Sequence, residues 1–264
     1  MIIDGKKIAE NILQELIAER AQFGHLRLGV LMGLGDKATE SFVRIKGRIA
    51  AELTIELMRK ELLPSATTKE ALTEIKELLR TTDGIIIQLP LPLGVNVEEV
   101  LQSLPPGQDP DALGREGKSL VTPPVVAAIQ EILKKERVDI QGKRILVAGQ
   151  GRLVGIPVAV WLRQEHLSFV IVEDSLGMVK EAPSADIIVL GTGSPGILKP
   201  SMIKSGVVIL DAGTSEASGK IVGDADPSCA AKAALFTPVP GGIGPIAVMI
   251  LFRNFLELIK RKGI

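Results

Sequence analysis

Hydrophobic runs alternate with amphipathic stretches along the whole chain. Short runs of isoleucine, leucine and valine are typical of buried strands, whereas apolar residues recurring every three or four positions are typical of helices that cover a sheet. The pattern predicts helices at residues 8–19, 38–53, 67–80, 97–104, 123–136, 153–164 and 246–260. It predicts strands at residues 28–32, 54–58, 84–89, 144–148, 169–172, 187–190, 207–210 and 234–236. This alternation indicates βα units and mostly parallel sheets.

The order of these elements predicts an α/β fold with two α/β domains around a cleft. The second domain is expected to be a Rossmann-like doubly wound parallel sheet. An irregular stretch at residues 105–122 is long enough to indicate a functional loop, and the helix after it bridges the two halves. We place one domain at residues 1–122 plus the closing helix 245–264, and the other at residues 123–244.

Composition excludes several classes of partner. The 264 residues carry equal numbers of positive and negative side chains, so no basic field is expected to attract nucleic acid or an anionic membrane. A single cysteine permits no internal disulfide and fits a reducing compartment, and two scattered histidines predict no zinc site. Early charges at Asp4 and Lys6 do not fit a signal peptide, and no run approaches the ~20 apolar residues of a membrane span. We expect a cytoplasmic protein without metal, nucleic-acid or membrane partners.

A glycine-rich loop, Gly149-Gln150-Gly151-Arg152-Leu153-Val154-Gly155, joins a predicted strand to a predicted helix. Its glycines permit a tight turn and let amide groups face a pyrophosphate, while the helix N-terminus adds partial positive charge. The spacing is G-x-G-x-x-x-G rather than the stricter G-x-G-x-x-G, so a turn that only reverses the chain is the alternative. The strand–loop–helix context favours a dinucleotide site.

Two acidic residues, Glu173 and Asp174, end the next strand, about 24 residues after the loop begins. An acidic residue there binds a ribose 2′-hydroxyl and repels a 2′-phosphate, which favours NAD over NADP. Arg152 favours NADP instead, because a guanidinium group binds phosphate well. A further alternative is that both carboxylates only cap the helix that follows. The predicted cofactor-binding residues are Gly149, Gln150, Gly151, Arg152, Glu173, Asp174, Ser175, Thr192, Gly193 and Thr214.

Three polar groups of the first half are candidates for chemistry. Lys46 follows Phe42 by four positions, so a ring that stacks on a planar substrate would lie beside an ammonium that exchanges protons. Gln88 ends an isoleucine-rich strand, at the sheet edge where sites usually lie. Asp111 lies in the irregular loop, and its carboxylate can accept two donors from an amidine-like edge. A surface lysine, a turn-capping glutamine and a turn-capping aspartate are the plain structural alternatives.

A rigid run occupies residues 236–245, with three prolines and three glycines in ten positions. Proline holds φ near −65°, and glycine lets a ligand approach the main chain. The run is typical of a wall built against a flat ligand, and a structural turn is the alternative.

Together these segments resemble the methylenetetrahydrofolate dehydrogenase/methenyltetrahydrofolate cyclohydrolase (FolD-type) family over nearly the whole chain. The matching pieces are Phe42-Val43-x-x-Lys46, Gln88-Leu89-Pro90-Leu91-Pro92, Asp109-Pro110-Asp111, Thr122-Pro123, residues 149–157 and residues 237–245. The resemblance implies oxidation of 5,10-methylenetetrahydrofolate by hydride transfer to NAD or NADP. It also implies hydrolysis of the 5,10-methenyl product to 10-formyltetrahydrofolate, and a homodimer joined through the nucleotide domains.

The resemblance also implies a role for each matching residue. Lys46 would act at the one-carbon bridge, Gln88 would hydrogen-bond to it, and Asp111 would hold the donors of the pterin. The implied substrate-binding residues are Phe42, Leu89, Pro240 and Gly241. The domain at 1–122 would then bind the substrate, and the domain at 123–244 the dinucleotide.

Two departures from the family pattern leave alternatives open. Phe42 stands where the family usually has tyrosine, so a dehydrogenase with weak or absent cyclohydrolase activity is one alternative. Gln150 and Gly151 stand where the family has arginine and serine, which weakens the case for NADP. Another two-domain dehydrogenase, for a shikimate-like or amino-acid substrate, and a non-catalytic nucleotide-binding regulatory protein are the remaining alternatives.

Overall fold

The computed structural model describes residues 1–35, 37–114, 118–217 and 220–263. The chain divides into two compact units. The three-stranded unit comprises Ile12–Thr122 and Leu251–Ile264, and the five-stranded unit comprises Met1–Asn11 and Pro123–Ile250. Both units are α/β and both main sheets are parallel, which confirms the predicted fold class.

The three-stranded unit holds a parallel sheet with the strand order β2-β1-β3. Its elements in chain order are α1 (Gly5–Arg20, which begins in the other unit), β1 (Leu26–Gly33), α2 (Lys37–Glu52), β2 (Ile55–Leu62), α3 (Thr68–Thr81), β3 (Gly84–Gln88) and α4 (Val97–Gln102). Strand β1 is buried at every position except Arg27, as expected for a central strand covered on both faces. A capping box of Thr67 and Glu70 begins α3, where the sequence predicts a helix start.

The five-stranded unit holds the larger sheet. Its elements in chain order are α5 (Pro124–Lys135), β4 (Ile145–Ala148), α6 (Gly155–Gln164), β5 (Phe169–Val172), α7 (Ser175–Glu181), β6 (Ile187–Leu190), β7 (Val208–Asp211), β8 (Ser215–Ala217), β9 (Lys220–Val222), β10 (Leu235–Phe236) and α8 (Ile243–Arg261, which ends in the three-stranded unit). The strand order is β10-β7-β6-β4-β5, with every pair parallel. Strand order reverses at β4, which has β5 on one side and β6 on the other, so the sheet is doubly wound as predicted.

The N-terminal residues add to the edge of this larger sheet. Ile2 pairs with Phe236 in a parallel bridge, Ile3 donates its backbone N–H to Phe236, and Phe236 donates to the carbonyl of Met1. Met1–Asn11 therefore groups with the five-stranded unit, whereas the sequence placed these residues in the first domain. This pairing joins residues more than 230 positions apart, so no local pattern announces it.

Three elements differ from the predicted pattern. Strand β2 is longer than predicted, because three consecutive charged residues, Arg59, Lys60 and Glu61, interrupt the apolar run of this edge strand. Helix α7 and the two-stranded antiparallel sheet β8–β9 were not predicted. Helix α7 has seven residues with only Met178 buried, and each of the two short strands has three residues, so neither has a measurable apolar period.

Arg115–Gly117 of the predicted irregular loop and Ile264 of the closing helix lie outside the described residues. Within the described ranges, no helix combines the length and apolar character needed to span a membrane.

Candidate active site

Lys46, Gln88 and Asp111 meet within the three-stranded unit. Lys46 lies on α2, Gln88 ends β3, and Asp111 lies in the loop that follows α4. The Lys46 Nζ donates a hydrogen bond of 3.0 Å to Gln88 Oε1 and lies 3.8 Å from Asp111 Oδ2. The side chains of Lys46 and Asp111 are only 12% and 17% exposed. The structure thus brings together an ammonium, an amide and a carboxylate that are 65 residues apart in sequence from first to last.

The orientation of the Gln88 amide is fixed by its second hydrogen bond. Its Nε2 donates to the carbonyl oxygen of Leu89 at 3.1 Å, so Oε1 is the atom that faces Lys46. Gln88 pairs with Met32 at the carboxyl end of the sheet, which is where ligands of parallel sheets collect. The Leu89–Pro90 peptide is cis.

The carboxyl group of Asp111 experiences two opposed effects. Burial raises its pKa above the usual value, and the positive charge of Lys46 lowers it. Phe42 lies one turn before Lys46 on α2 and is exposed, and Leu89 is half-buried after Gln88. The pair Lys46–Asp111 can therefore offer both a proton donor and a hydrogen-bond acceptor at a partly desolvated site.

The glycine loop of the five-stranded unit is a compact turn between β4 and α6. Gly149 has φ +92°, and a β-carbon on it would lie 2.5 Å from the carbonyl oxygen of Gly191. A β-carbon on Gly155 would overlap the carbonyl oxygen of Gly149 and lie 2.7 Å from its carbonyl carbon. The turns after β4 and β6 therefore touch at the point where strand order reverses, which is the dinucleotide position of such sheets. A β-carbon at Gly151 would meet nothing closer than 3.6 Å, so the middle of the loop is open.

The two acidic residues after β5 have different roles. Asp174 caps α7, because its Oδ1 accepts the backbone N–H of Gly177 at 2.7 Å. Glu173 instead turns to the glycine loop, where its Oε1 accepts a hydrogen bond from Gln150 Nε2. Capping thus accounts for Asp174 alone, and Glu173 is the carboxylate beside the loop. Arg152 and Ser175 are exposed.

Thr192 and Gly193, after β6, direct their donors inward. The fully buried carboxylate of Asp224 accepts the backbone N–H of Thr192 at 2.6 Å, its hydroxyl at 2.8 Å and the N–H of Gly193 at 3.3 Å. These three donors are therefore engaged within the protein. Asp224 was missed in the sequence, where an aspartate in Gly-Asp-Ala carries no signal of its own. Thr214, after β7, is exposed.

A second buried carboxylate, Asp211, supports the same turns. It accepts backbone N–H groups from Gly213 at 2.9 Å, Asp224 at 3.3 Å and Ala225 at 2.8 Å. Burial raises the pKa of Asp211 to about 6, the nearby charge of Asp224 adds to this, and the three backbone donors oppose it. The turns at the carboxyl ends of β6 and β7 are thus built on two buried aspartates that accept backbone N–H groups.

Asp211 makes the free energy of unfolding depend on pH. Because its pKa in the folded protein lies above the ordinary 3.8, the folded state retains the proton to higher pH than the unfolded chain. The contribution of this group to stability therefore falls as the pH rises from about 4 through about 6. Between pH 5 and pH 7.5 we expect the wild type to lose on the order of 1 kcal/mol more than Asp211→Asn, measured by urea denaturation. A constant difference between the two proteins over this range would contradict the assignment.

The rigid run of residues 236–245 connects β10 to the start of α8 in the five-stranded unit. Pro240 is exposed, and the carbonyl oxygen of Gly241 accepts the backbone N–H of Gly5 at 2.9 Å. The Val239–Pro240 peptide is cis, as is the peptide after Leu89. Pro240 and Gly241 therefore belong to the unit that holds the glycine loop, and Lys46 to the other.

Comparisons with known proteins agree with this arrangement. Residues 3–111 match the family model of the tetrahydrofolate dehydrogenase/cyclohydrolase catalytic domain, and residues 123–263 match that of the NAD(P)-binding domain of the same family. The bifunctional protein FolD of Caldanaerobacter subterraneus subsp. tengcongensis is 34% identical, over 98% of this chain and 97% of that protein. The FolD protein of Staphylococcus aureus strain Newman is 33% identical, over 100% and 98%.

A solved structure shows the same fold throughout. The Trypanosoma brucei N5,N10-methylenetetrahydrofolate dehydrogenase-cyclohydrolase, complexed with NADP cofactor and inhibitor, is 30% identical to this chain with a TM-score of 0.92. The alignment covers 100% of this chain and 98% of that one. With both domain models matched and relatives above 30% identity over the full length, the chain belongs to the tetrahydrofolate dehydrogenase/cyclohydrolase (FolD) family.

Proposed function

We propose that Lys46, Gln88 and Asp111 carry the substrate chemistry of this bifunctional enzyme. As a family member, the protein oxidises 5,10-methylenetetrahydrofolate to the 5,10-methenyl compound and hydrolyses that product to 10-formyltetrahydrofolate. The observation that supports the residue assignment is the contact of Lys46 with both Gln88 and Asp111, within the residues matched by the catalytic-domain model.

Hydrolysis makes the greater demand on these side chains. Water must attack the methenyl carbon, and a ring nitrogen must leave with a proton. Lys46 exchanges the proton at this step, and Gln88 Oε1 holds the ammonium in one orientation by accepting one of its three N–H bonds. The Asp111 carboxylate accepts two N–H donors from the pterin, and its charge keeps the ammonium in place. Phe42 retains a ring one turn from Lys46, which preserves stacking on the flat substrate.

Oxidation relies mainly on positioning, because the adjacent nitrogen lone pair stabilises the cation that forms. When bound, a nicotinamide cofactor supplies the hydride acceptor. The residues of the five-stranded unit fit such a group: the glycine loop leaves Gly151 open to a pyrophosphate, and the N-terminus of α6 follows it. The three-stranded unit binds the folate, and Pro240 and Gly241 belong to the unit that binds the nicotinamide.

We infer that the preferred cofactor is NAD. Glu173 ends β5, where a carboxylate accepts a hydrogen bond from a ribose 2′-hydroxyl and repels a 2′-phosphate. Gln150 holds this carboxylate beside the loop and adds no positive charge of its own. The Trypanosoma brucei relative is complexed with NADP, so the preference depends on this chain's own Gln150–Glu173 pair.

A single assay tests the reaction and the cofactor together. The absorbance of the methenyl product is followed from 5,10-methylenetetrahydrofolate with NAD and, separately, with NADP, and the decay of that absorbance reports hydrolysis. We expect kcat/KM with NAD to exceed kcat/KM with NADP by at least about 10-fold. The reason is that repulsion between the 2′-phosphate of NADP and the Glu173 carboxylate costs at least that factor in affinity. Glu173→Gln should lower the ratio of kcat/KM with NAD to kcat/KM with NADP. Glu165→Gln, which changes an exposed residue of the same unit, should leave this ratio unchanged.

The outcomes separate the alternatives. Equal turnover with the two cofactors would overturn the NAD preference and leave the folate chemistry standing. Absence of methenyl product with either cofactor, from a protein that binds folate and dinucleotide, would favour a non-catalytic regulatory protein. The homodimer joined through the nucleotide domains and the cytoplasmic location stay predictions from the sequence.

A further inference from the structure

A buried asparagine of the closing helix holds the loop that carries Asp111. Asn254 lies on α8, in the part of that helix that belongs to the three-stranded unit, and is only 8% exposed. Its Nδ2 donates to the carbonyl oxygen of Pro110 at 2.9 Å and to that of Thr122 at 2.9 Å. Both amide hydrogens are thus used, one beside Asp111 and the other at the far end of the same loop.

We propose that Asn254 is a positioning residue that fixes the Asp111 carboxylate beside Lys46 and thereby sets the affinity for the folate. The proposal rests on the proposed function, in which Asp111 accepts the pterin donors. Pro110 immediately precedes Asp111, so a displacement of the Pro110 carbonyl moves the Asp111 backbone with it. The Lys46–Asp111 separation of 3.8 Å leaves little room for such movement before the contact is lost.

The same turn of α8 also packs on the strand that carries Gln88. Phe255 lies so close to the first residue of β3 that a β-carbon on Gly84 would be 2.8 Å from its ring. Lys262, near the end of the chain, donates to the carbonyl oxygen of Asp83, the residue before β3, at 2.7 Å. Asn254 and Phe255, adjacent residues of α8, therefore contact the two elements that hold Asp111 and Gln88, and Asn254 is the one that bonds to the loop of Asp111.

A local interaction inside the loop does not replace this anchor. The carboxylate of Asp109 accepts the backbone N–H of Gly114 at 2.7 Å, which shapes the loop without attaching it to the helix. Two side-chain hydrogen bonds of Asn254 attach this loop to α8, one at Pro110 and one at Thr122. Their loss should leave the loop shape intact but free its position relative to Lys46.

The test compares Asn254→Ala with the wild-type enzyme. Two neutral hydrogen bonds are removed, so we expect the KM for 5,10-methylenetetrahydrofolate to rise about 10- to 30-fold, with the KM for NAD within about twofold of wild type. Asn254→Asp keeps the shape of the side chain but loses the N–H donors, so it should raise the KM for 5,10-methylenetetrahydrofolate in the same way. Glu257→Gln, on the same helix, is the control and should change neither constant.

A double-mutant cycle with Asp111 separates positioning from general support of the fold. In the Asp111→Ala background, Asn254→Ala should add less than about twofold, because the group that it positions is gone. Equal effects of Asn254→Ala in both backgrounds, or an unchanged folate KM in either Asn254 variant, would overturn the proposal. Thermal unfolding of each variant identifies the proteins that are folded at the assay temperature. If Asn254→Ala is not folded, Asn254→Asp takes its place in the cycle.

Binding of tetrahydrofolate, measured by titration calorimetry, keeps this proposal distinguishable from the proposed function. Wild type that binds tetrahydrofolate without turnover would contradict the proposed function, and weaker binding by Asn254→Ala would still support the role of Asn254. Wild type with turnover and an Asn254→Ala variant of equal affinity would overturn the role of Asn254 alone. Wild type that fails to bind tetrahydrofolate would overturn both.

Discussion

Lys46→Ala should abolish hydrolysis of 5,10-methenyltetrahydrofolate while much of the dehydrogenase activity remains. Hydrolysis needs a proton exchanged at a ring nitrogen, and loss of a positioned acid–base group typically costs about 10²- to 10⁴-fold in rate. Hydride transfer needs orientation rather than a proton, so we expect its kcat to fall less than about 10-fold. The two rates are measured separately, one from the decay of supplied methenyl compound and the other from its formation with NAD.

The control for this variant is Arg48→Ala, which removes an exposed cation two residues further along the same helix. It should leave both rates near wild type. Lys46→Ala also leaves the partly buried Asp111 without its cation, so thermal unfolding must show that the variant is folded. Equal loss of both activities in a folded Lys46→Ala protein would refute the division of labour between the two reactions.

The fold was largely predictable because its strands are continuous apolar runs. The segments at 84–87 and 187–190 lie in buried parallel strands, the run at 169–172 is a partly exposed edge strand, and alternation with helices indicates the βα connections. The order β10-β7-β6-β4-β5 was not readable strand by strand, since each strand is equally apolar. Pairing of the N-terminal residues with β10 was unpredictable for the same reason, because it depends on contacts across nearly the whole chain.

The candidate site was predictable where its residues follow a strand or share a helix face. Gln88 ends an apolar run, and Lys46 lies one turn after Phe42, so both have a local signal. Asp224 and Asn254 were missed, because they act on partners 32 and 144 residues away in sequence. Asn254 did leave one trace, as a neutral polar residue within the buried stripe of α8, between Phe252 and Phe255. A buried polar residue there needs partners, which here are the two loop carbonyls.

Gly155→Ala should produce the opposite pattern from Lys46→Ala. The new β-carbon would overlap the carbonyl oxygen of Gly149 and lie 3.0 Å from the Cα of Gln150. Both are backbone atoms, so the loop must move by the order of 1 Å, and misplacement of that size costs about 100-fold in rate or affinity. We expect NAD binding and dehydrogenation to fall by at least that factor, while hydrolysis of supplied methenyl compound stays within about threefold of wild type.

Gly151→Ala is the matched control for the folded loop, because its β-carbon would meet no protein atom within 3.6 Å. Its thermal stability should equal that of wild type, whereas Gly155→Ala should unfold at lower temperature. If Gly151→Ala has wild-type stability but weakens NAD binding, the bound cofactor lies close to Gly151. The open space at the middle of the loop would then be part of the cofactor site. A folded Gly155→Ala protein that binds NAD like wild type would remove the loop from the cofactor site. Loss of both hydrolysis and dehydrogenation in a folded Gly155→Ala protein would mean that the loop supports both reactions. That result would contradict the assignment of hydrolysis to Lys46 separately from the loop.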